Sequence, residues 1–576
     1  MALWVLGSGA WGVCLGLIVS GIRKARFDRK ELPFWLAAAA MLALSLRLVL
    51  DPERGFTFVV DDAYYYLQIA RNLDATGMVT FDGLHETNGF HPLWLGMLAT
   101  LHRLLPEVSD LAFVTAVQSA ALLLAAAGLA WLQRLLAPVA GPLARTVGAL
   151  VLFNPWALSR FWLSGMESSL ALLLLIAFLC HWRELLESPD FDLLLRSGLL
   201  GGLVCLARLD LVLVVVPAVV LTGWLWLREE TGFGAMPRGA MTAWHLLAGG
   251  AAFAIPVAAW LVWNRVRFGS FGTVSSYVKT ALWPMSLAER YDNLCLVLPS
   301  LKFLFPVPVL RIASPVLLIA AALAAWRLIR TVPRGPARIT FSLLAWTAGV
   351  HYVLARGGVA ESYSWYYLLE TLLAVKVAAA AVGLVEPGSG RSAGLPETLA
   401  RGASASGAAA AGAAGRRRLA AVVVGLAVLV SLWLVTDLLR DEPGWFVSRA
   451  IQKEGKAAAE WIGRETAEDA VVAAWDAGIL GYFAHRPVIN LDGLVNDWEF
   501  VEVMRARTFR DYLVRNGVDY VANSFFVLED GSLWHQREGM DEVTPWLRPM
   551  YRGREVPFLG VPVTVGVFRF EPGGGP

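Results

Sequence analysis

Charge is what this sequence has least of. Only 17% of its 576 residues are Asp, Glu, Lys or Arg, against roughly a quarter in an average soluble protein. The formal net charge is +2, which leaves no bulk attraction to nucleic acid. Cysteine is scarce as well. There are four, none in a CxxC pair, and Cys14, Cys180 and Cys205 lie inside apolar runs. Neither a disulfide framework nor a structural zinc site has support. The chain lacks a GxxxxGKS or GxxxxGKT loop, which excludes the usual ATP-driven pump. It also lacks HExxH and GxSxG, which sets aside the common zinc proteases and serine hydrolases. No repeat relates its halves, unlike in many secondary transporters. What is abundant is apolar: 57% of residues are hydrophobic and the mean hydropathy is +0.56. The fold class is a polytopic α-helical membrane protein.

A spanning helix needs roughly 20 mostly apolar residues, and about 12 segments meet that rule. The first runs from Leu3 to Ser20 and the second from Phe34 to Leu50. The rest centre near residues 122, 150, 174, 200, 219, 252, 317, 347, 374 and 429. Arg23, Lys24, Arg26, Arg29 and Lys30 after the first span mark a cytoplasmic loop. The first span is retained rather than cleaved, because the basic cluster follows the apolar run instead of preceding it. Pro92–Leu105 is too short to cross and is read as an interfacial helix. With that choice the basic loops at Arg134 and Arg145, Arg327–Arg338 and Arg416–Arg418 all fall inside. The loops with unusual polar residues fall outside.

This gives a membrane bundle over residues 1–439, containing an outer loop at 51–106 and a Gly-, Ala- and Ser-rich cytoplasmic linker at 386–418. An outer α/β domain is expected over 440–576. Short β-rich runs (Ala470–Ala474, Val488–Leu491, Val518–Ala522, Val561–Phe570) alternate there with helical patterns at Arg449–Arg464 and Phe500–Asn516.

The outer loop is the most informative segment. Asp61 and Asp62 open a helical pattern in which Tyr66, Ile69, Ala70 and Leu73 share a face suited to the lipid interface. Two adjacent carboxylates at a membrane edge mark a catalytic base, a metal site or both. Taken alone, the pair also reads as an N-cap and a first-turn acid. Arg71, His85, Glu86, Asn88 and His91 follow in the same loop and make a substrate pocket the fuller account. His85 and His91 are the imidazoles that could join the aspartates on a divalent metal ion, with Asp61, Asp62 and His91 as the core set. Hydrogen bonding within the loop is the plainer alternative.

Other outer residues fit the same cleft. Glu167 starts a span, as a cap or as a polar group facing the bundle. Arg208 and Asp210 share a tight turn, where the guanidinium pairs with the Asp or reaches an anionic ligand. Trp263–Thr280 carries Asn264, Arg265, Arg267, Tyr277 and Lys279. So many cations outside suit a phosphate-bearing lipid or plain headgroup contact. In the C-terminal domain Trp475, Asp476, Asn490, Asp492 and Asn496 could face the mouth of the bundle, although Asp492-Gly493 also reads as a turn.

DDAYYYLQIARN, with GMVTFDG and TNGFHPLW downstream, resembles the first outer loop of the GT-C class of polytopic glycosyltransferases. The likeness is nearest to bacterial members allied to arabinofuranosyltransferases, with the protein mannosyltransferases and aminoarabinose transferases further off. It continues through SGMESS, ARLD, FGS…SSYVK and Ala474–Asp497. The resemblance implies a multi-pass enzyme of the bacterial inner membrane, with its active site and C-terminal domain on the periplasmic side. Its partners would be membrane lipids, a polyprenyl-phosphate sugar donor and a cell-envelope glycan or lipid acceptor. Asp61 or Asp62 would be the base, in an inverting displacement that needs no general acid. Arg208, Lys279, Tyr277 and Asn264 would hold the donor phosphate. Arg71, His85, Asn88, His91, Glu167, Asp210, Trp475, Asp476 and Asp492 would line the pocket. An extra N-terminal span departs from the class pattern, in which the acidic loop follows the first helix. Transfer to protein hydroxyls, or non-enzymatic transport or assembly of lipid-linked glycans, are the competing functions.

Overall fold

The computed structural model describes residues 2–152, 157, 161–227, 243–282, 285–295, 316, 319, 322–323, 325–358, 367–385, 449–535, 537, 539–558 and 561–573. The helical part contains α1 (Ala2–Lys24), α2 (Leu32–Val49), α3 (Asp61–Thr76), α4 (Pro92–Leu104), α5 (Asp110–Leu136) and α6 (Pro142–Leu152). It continues with α7 (Ser168–Glu187), α8 (Phe191–Ala207), α9 (Val212–Leu227), α10 (Ala243–Phe268), α11 (Pro336–Gly358) and α12 (Leu368–Val385). Among the described residues six helical segments are long and apolar enough to cross a membrane: Leu3–Lys24, Leu32–Val49, Asp110–Leu136, Ser168–Glu187, Leu209–Trp226 and Ala243–Phe268. The chain is a multi-pass membrane protein. The expected span near 429, the linker at 386–418 and the boundary at 439/440 lie outside the described residues, as does part of the span expected near 317.

α7 is apolar on every side from Leu170 to Cys180 and buried almost throughout, the mark of a helix at the centre of a bundle. It packs against α5, α8 and α11. Small residues bring backbones close at two crossings. A Cβ on Gly7 of α1 would come within 1.9 Å of the Gly96 carbonyl of α4, and one on Gly198 of α8 within 2.2 Å of the Gly249 carbonyl of α10. α4 has 13 residues, and Pro92–Ala99 is buried. A helix of that length rises only about 20 Å, too little to cross.

α3 differs from its expected setting. Its apolar face does not lie on lipid: Tyr66, Ile69, Ala70 and Leu73 are all buried, because α3 is packed between α4 and the C-terminal domain.

That domain begins with α13 (Arg449–Glu465). A mixed sheet follows, of β1 (Val471–Ala474), β2 (Val488–Asn490), β3 (Val518–Val527), β4 (Leu533–Trp534), β5 (Leu547–Arg552), β6 (Val556–Phe558) and β7 (Val561–Phe570). The strand order is β2-β1-β3-β7-β5, with β4 on β3 and β6 on β7. β1 runs parallel to β2 and β3; the other pairings are antiparallel. The parallel pairs need crossovers, supplied by α14 (Gly478–Phe483), then by α15 (Trp498–Ala506) and α16 (Phe509–Arg515). The single helix expected over Phe500–Asn516 is broken at Arg507, whose φ is +53°.

Candidate active site

α3 starts after Val60, which is extended. Successive side chains on a helix diverge by about 100°, so the two carboxylates at its first positions serve different neighbours. Asp61 turns to the C-terminal domain. Its Oδ2 accepts the Gly478 N–H and its Oδ1 the Ile479 N–H, both at 2.9 Å. A side chain of the bundle thus satisfies the free N–H groups that open α14. Gly478 leaves room for this, since a Cβ there would meet the Asp61 carbonyl at 2.1 Å. Burial pushes the Asp61 carboxyl up to about 6; the two N–H bonds pull it down, and Asp62 and Asp492 add to the rise.

Asp62 instead lines a cleft that is open to solvent. Lys279 Nζ lies 3.7 Å from its Oδ2. Tyr66, His91 and Glu167 share the polar wall, and Phe90, Met166, Leu494 and Val495 the apolar one. Tyr66 holds this corner, its hydroxyl accepting the His91 N–H at 3.1 Å. Burial lowers the His91 imidazole below its ordinary range, against the raising effect of Glu167.

Glu167 is 1% exposed. Its Oε1 accepts from Arg208 Nη1 at 2.8 Å and lies 3.9 Å from His91 Nε2. Its Oε2 is buried with no hydrogen-bond partner among the described residues. Arg208, expected at a phosphate, is 3% exposed and spread between carboxylates. Its Nε and Nη2 bind Asp210 at 3.1 and 2.8 Å. Asp210 also meets His351 Nε2 at 3.1 Å, and His351 Nδ1 meets Glu370 at 2.8 Å. The Asp210 pairing that the sequence left open against an anionic ligand is present.

Several expected pocket residues stand elsewhere. Asn264 and Asn88 bind each other at 3.0 Å, and Asn88 Oδ1 accepts the Val274 N–H at 2.9 Å, which fixes the loop that carries Lys279. Tyr277 faces the C-terminal domain, where Arg505 donates to its hydroxyl and Trp498 lies beside its ring. Arg71 pairs with Asp110, donates to the Tyr482 carbonyl and covers the Tyr482 ring at 4.2 Å. His85 bridges Asp82 and Asn516 at 2.7 and 3.1 Å, in keeping with the plainer reading. Glu86 pairs with Arg267 at 2.5 Å.

Trp475 is buried in its own domain beside His535 and Phe509. Asp476, at φ +47°, donates its N–H to Asp492 at 2.8 Å and accepts from Arg537 at 2.5 Å. Asp492 and Asn490 both reach the Tyr65 hydroxyl, at 3.4 and 3.1 Å. Among the described residues no three His, Cys, Asp or Glu side chains converge as metal ligands. Asp62 and His91 line the cleft, while both oxygens of Asp61 bind α14.

Sequence reasoning passed over Leu494 and Val495, which the C-terminal domain places in the cleft. It also passed over His351, whose signal was a lone imidazole in the uncharged middle of its helix.

The fold is shared with solved structures. ArnT from Cupriavidus metallidurans bound to undecaprenyl phosphate aligns over 92% of this chain and 97% of its own, with TM-score 0.54 and 15% identity. Its apo state aligns over 92% and 98%, with TM-score 0.53 and 15% identity. The archaeal oligosaccharyltransferase AglB from Archaeoglobus fulgidus, in complex with an inhibitory peptide and a dolichol-phosphate, covers 90% of this chain and 75% of its own. Its TM-score is 0.48 at 11% identity. A family model described as a domain of unknown function, DUF8728, matches residues 446–558. No curated protein matches the sequence. The bundle with its α/β domain is the GT-C-like fold expected from the sequence.

Proposed function

We propose that this chain, built on the fold of ArnT, is a glycosyltransferase that moves a sugar from a polyprenyl-phosphate lipid to a hydroxyl of a cell-envelope glycan or lipid. The observation that carries the reading is the Asp62–Lys279 pair, 3.7 Å apart on the wall of a half-apolar cleft at one end of a membrane bundle. The Asp62 carboxylate takes the proton from the acceptor hydroxyl as its oxygen attacks the anomeric carbon. The bond from that carbon to the phosphate oxygen breaks, and the lipid phosphate leaves with the electron pair. Attack opposite the leaving group inverts the anomeric centre.

Lys279 faces the phosphate and stabilises the charge it gains. Glu167 and His91 bind the sugar, and the wall of Phe90, Met166, Leu494 and Val495 shields the reacting atoms from water. Asp61 is the clasp to the C-terminal domain, so Asp62 is the base of the pair. The enzyme sits in a bacterial inner membrane with the cleft on the periplasmic side.

The test is sugar transfer by purified protein from radiolabelled polyprenyl-phosphate sugars to a membrane-glycan extract, with Asp62→Asn and Asp61→Asn of matched folding alongside. The reading expects transfer by wild type, its loss in Asp62→Asn and a smaller fall in Asp61→Asn. Unchanged turnover in Asp62→Asn would remove the base. Transfer to added protein instead of the extract would move the acceptor to protein hydroxyls.

A further inference from the structure

Behind the cleft, Glu167, Arg208, Asp210, His351 and Glu370 form one continuous chain of ionisable groups. They come from the start of α7, the turn between α8 and α9, the body of α11 and the start of α12. Of these five only Glu167 lines the cleft. Each ring nitrogen of His351 meets a carboxylate oxygen, Asp210 at 3.1 Å and Glu370 at 2.8 Å. Carboxylate oxygens accept, so both nitrogens must donate, and a ring that donates at both is a cation.

Position in the chain decides what this cation does. Asp210 is shared by His351 and Arg208, and Arg208 is shared by Asp210 and Glu167. Without the imidazolium, Asp210 would depend more heavily on Arg208 and draw it away from Glu167. Arg208 Nη1 donates to Glu167 Oε1 at 2.8 Å and orients this carboxylate. Its other oxygen is buried with no hydrogen-bond partner among the described residues, on a residue that lines the cleft. A buried carboxylate oxygen is costly to leave without a donor, and a sugar hydroxyl would supply one.

We propose that His351 is a positioning residue: acting through Asp210 and Arg208, it holds Glu167 so that its open oxygen accepts a hydroxyl of the lipid-linked sugar. This rests on the reading of the cleft as the donor-sugar site.

The test measures binding by full-length protein in nanodiscs. The probes are bare undecaprenyl phosphate and a panel of undecaprenyl-phosphate pentoses and hexoses. Glu167→Gln and His351→Ala are each expected to weaken the best-bound sugar lipid about tenfold and leave the bare lipid within about twofold. The double variant is expected to bind no more weakly than Glu167→Gln alone, because His351 acts through Glu167. Where transfer is measured, the donor KM rises by the same factor and kcat holds. If His351→Ala does not fold, His351→Gln carries the same test.

Additive losses in the double variant, equal weakening of bare and sugar-bearing lipid, or no sugar lipid bound more tightly than the bare one would each overturn the proposal. The expected binding pattern without any sugar transfer would keep the proposal and overturn the transferase reading.

Discussion

Two buried charge networks occupy opposite ends of the helical bundle. At the end away from the cleft, Glu31 is 2% exposed. One of its oxygens pairs with Arg145 Nη2, and the other accepts from Arg145 Nε at 3.2 Å and Gln133 Nε2 at 3.1 Å. Arg145 also donates to the Ala140 carbonyl at 2.8 Å, and Gln133 binds the backbone of Arg26 in both directions. Both carboxylate oxygens are matched. At the cleft end Glu167, Arg208 and His351 are as deeply placed, with Asp210 and Glu370 partly exposed, yet Glu167, which lines the cleft, keeps an unmatched oxygen. Burial alone therefore does not separate a structural charge network from a functional one. Closure does: a network that satisfies itself holds helices together, and one left open at a cavity is arranged for something that enters.

The comparison breaks most sharply at Asp62, which lines the cleft. Asp62→Asn is expected to lower kcat by about 10²–10⁴-fold, the usual weight of a general base, with the melting midpoint in detergent unchanged. A loss of folding in step with activity would erase the distinction. The converse substitution is Glu31→Ala at the closed network. It strands the Arg145 charge and is expected to cost about 3–5 kcal/mol of stability, read from thermal melts. The fraction that folds should keep its donor KM; a shifted KM would show that the two ends communicate.

A smaller effect is expected at the clasp between bundle and domain. Asp61→Ala removes a helix cap worth about 1 kcal/mol, and Gly478→Ala crowds the same contact. Both should speed release of the C-terminal domain by limited proteolysis more than they move the melting midpoint. A further effect is in pH. Asp61 titrates at about 6 in the fold against 3.8 when exposed. The native state therefore holds a proton through that window that the unfolded chain has lost. The stability contributed by this group falls as pH rises from 3.8 to about 6 and is level above it. Asp61→Asn should flatten that slope in melts run across the window.

Much of this was legible in the chain. The multi-pass class follows from apolar length. Asp62, His91, Glu167 and Lys279, which meet in the cleft, were marked by charge in segments that should otherwise avoid it. The partners of those residues were not legible, because each is set by a contact far away in sequence. Asp61 and Asp62 are chemically alike and adjacent, and only α14, more than 400 residues on, makes one of them a clasp. Arg71, His85 and Tyr277 look like ligands to a reader of composition, but the C-terminal domain uses them as anchors. Strands β4, β5 and β6 lacked the alternation that announces a strand; β5 includes Pro549 and is half exposed. His351 was visible as an odd residue in a helix, with nothing to say whom it faced.

The glycines along the domain seam have a consequence for how such a protein changes over generations. A Cβ on Gly89 would lie 1.8 Å from the Leu494 carbonyl, and one on Gly478 2.1 Å from that of Asp61. Backbones this close fit only the partner they were shaped against. A C-terminal domain borrowed from a related chain would meet a mismatched surface and leave the cleft without one wall. Recombination should therefore tolerate exchange of the whole chain far better than exchange of either half, and engineered chimeras should move the loop from Asp61 to His91 together with the domain it grips.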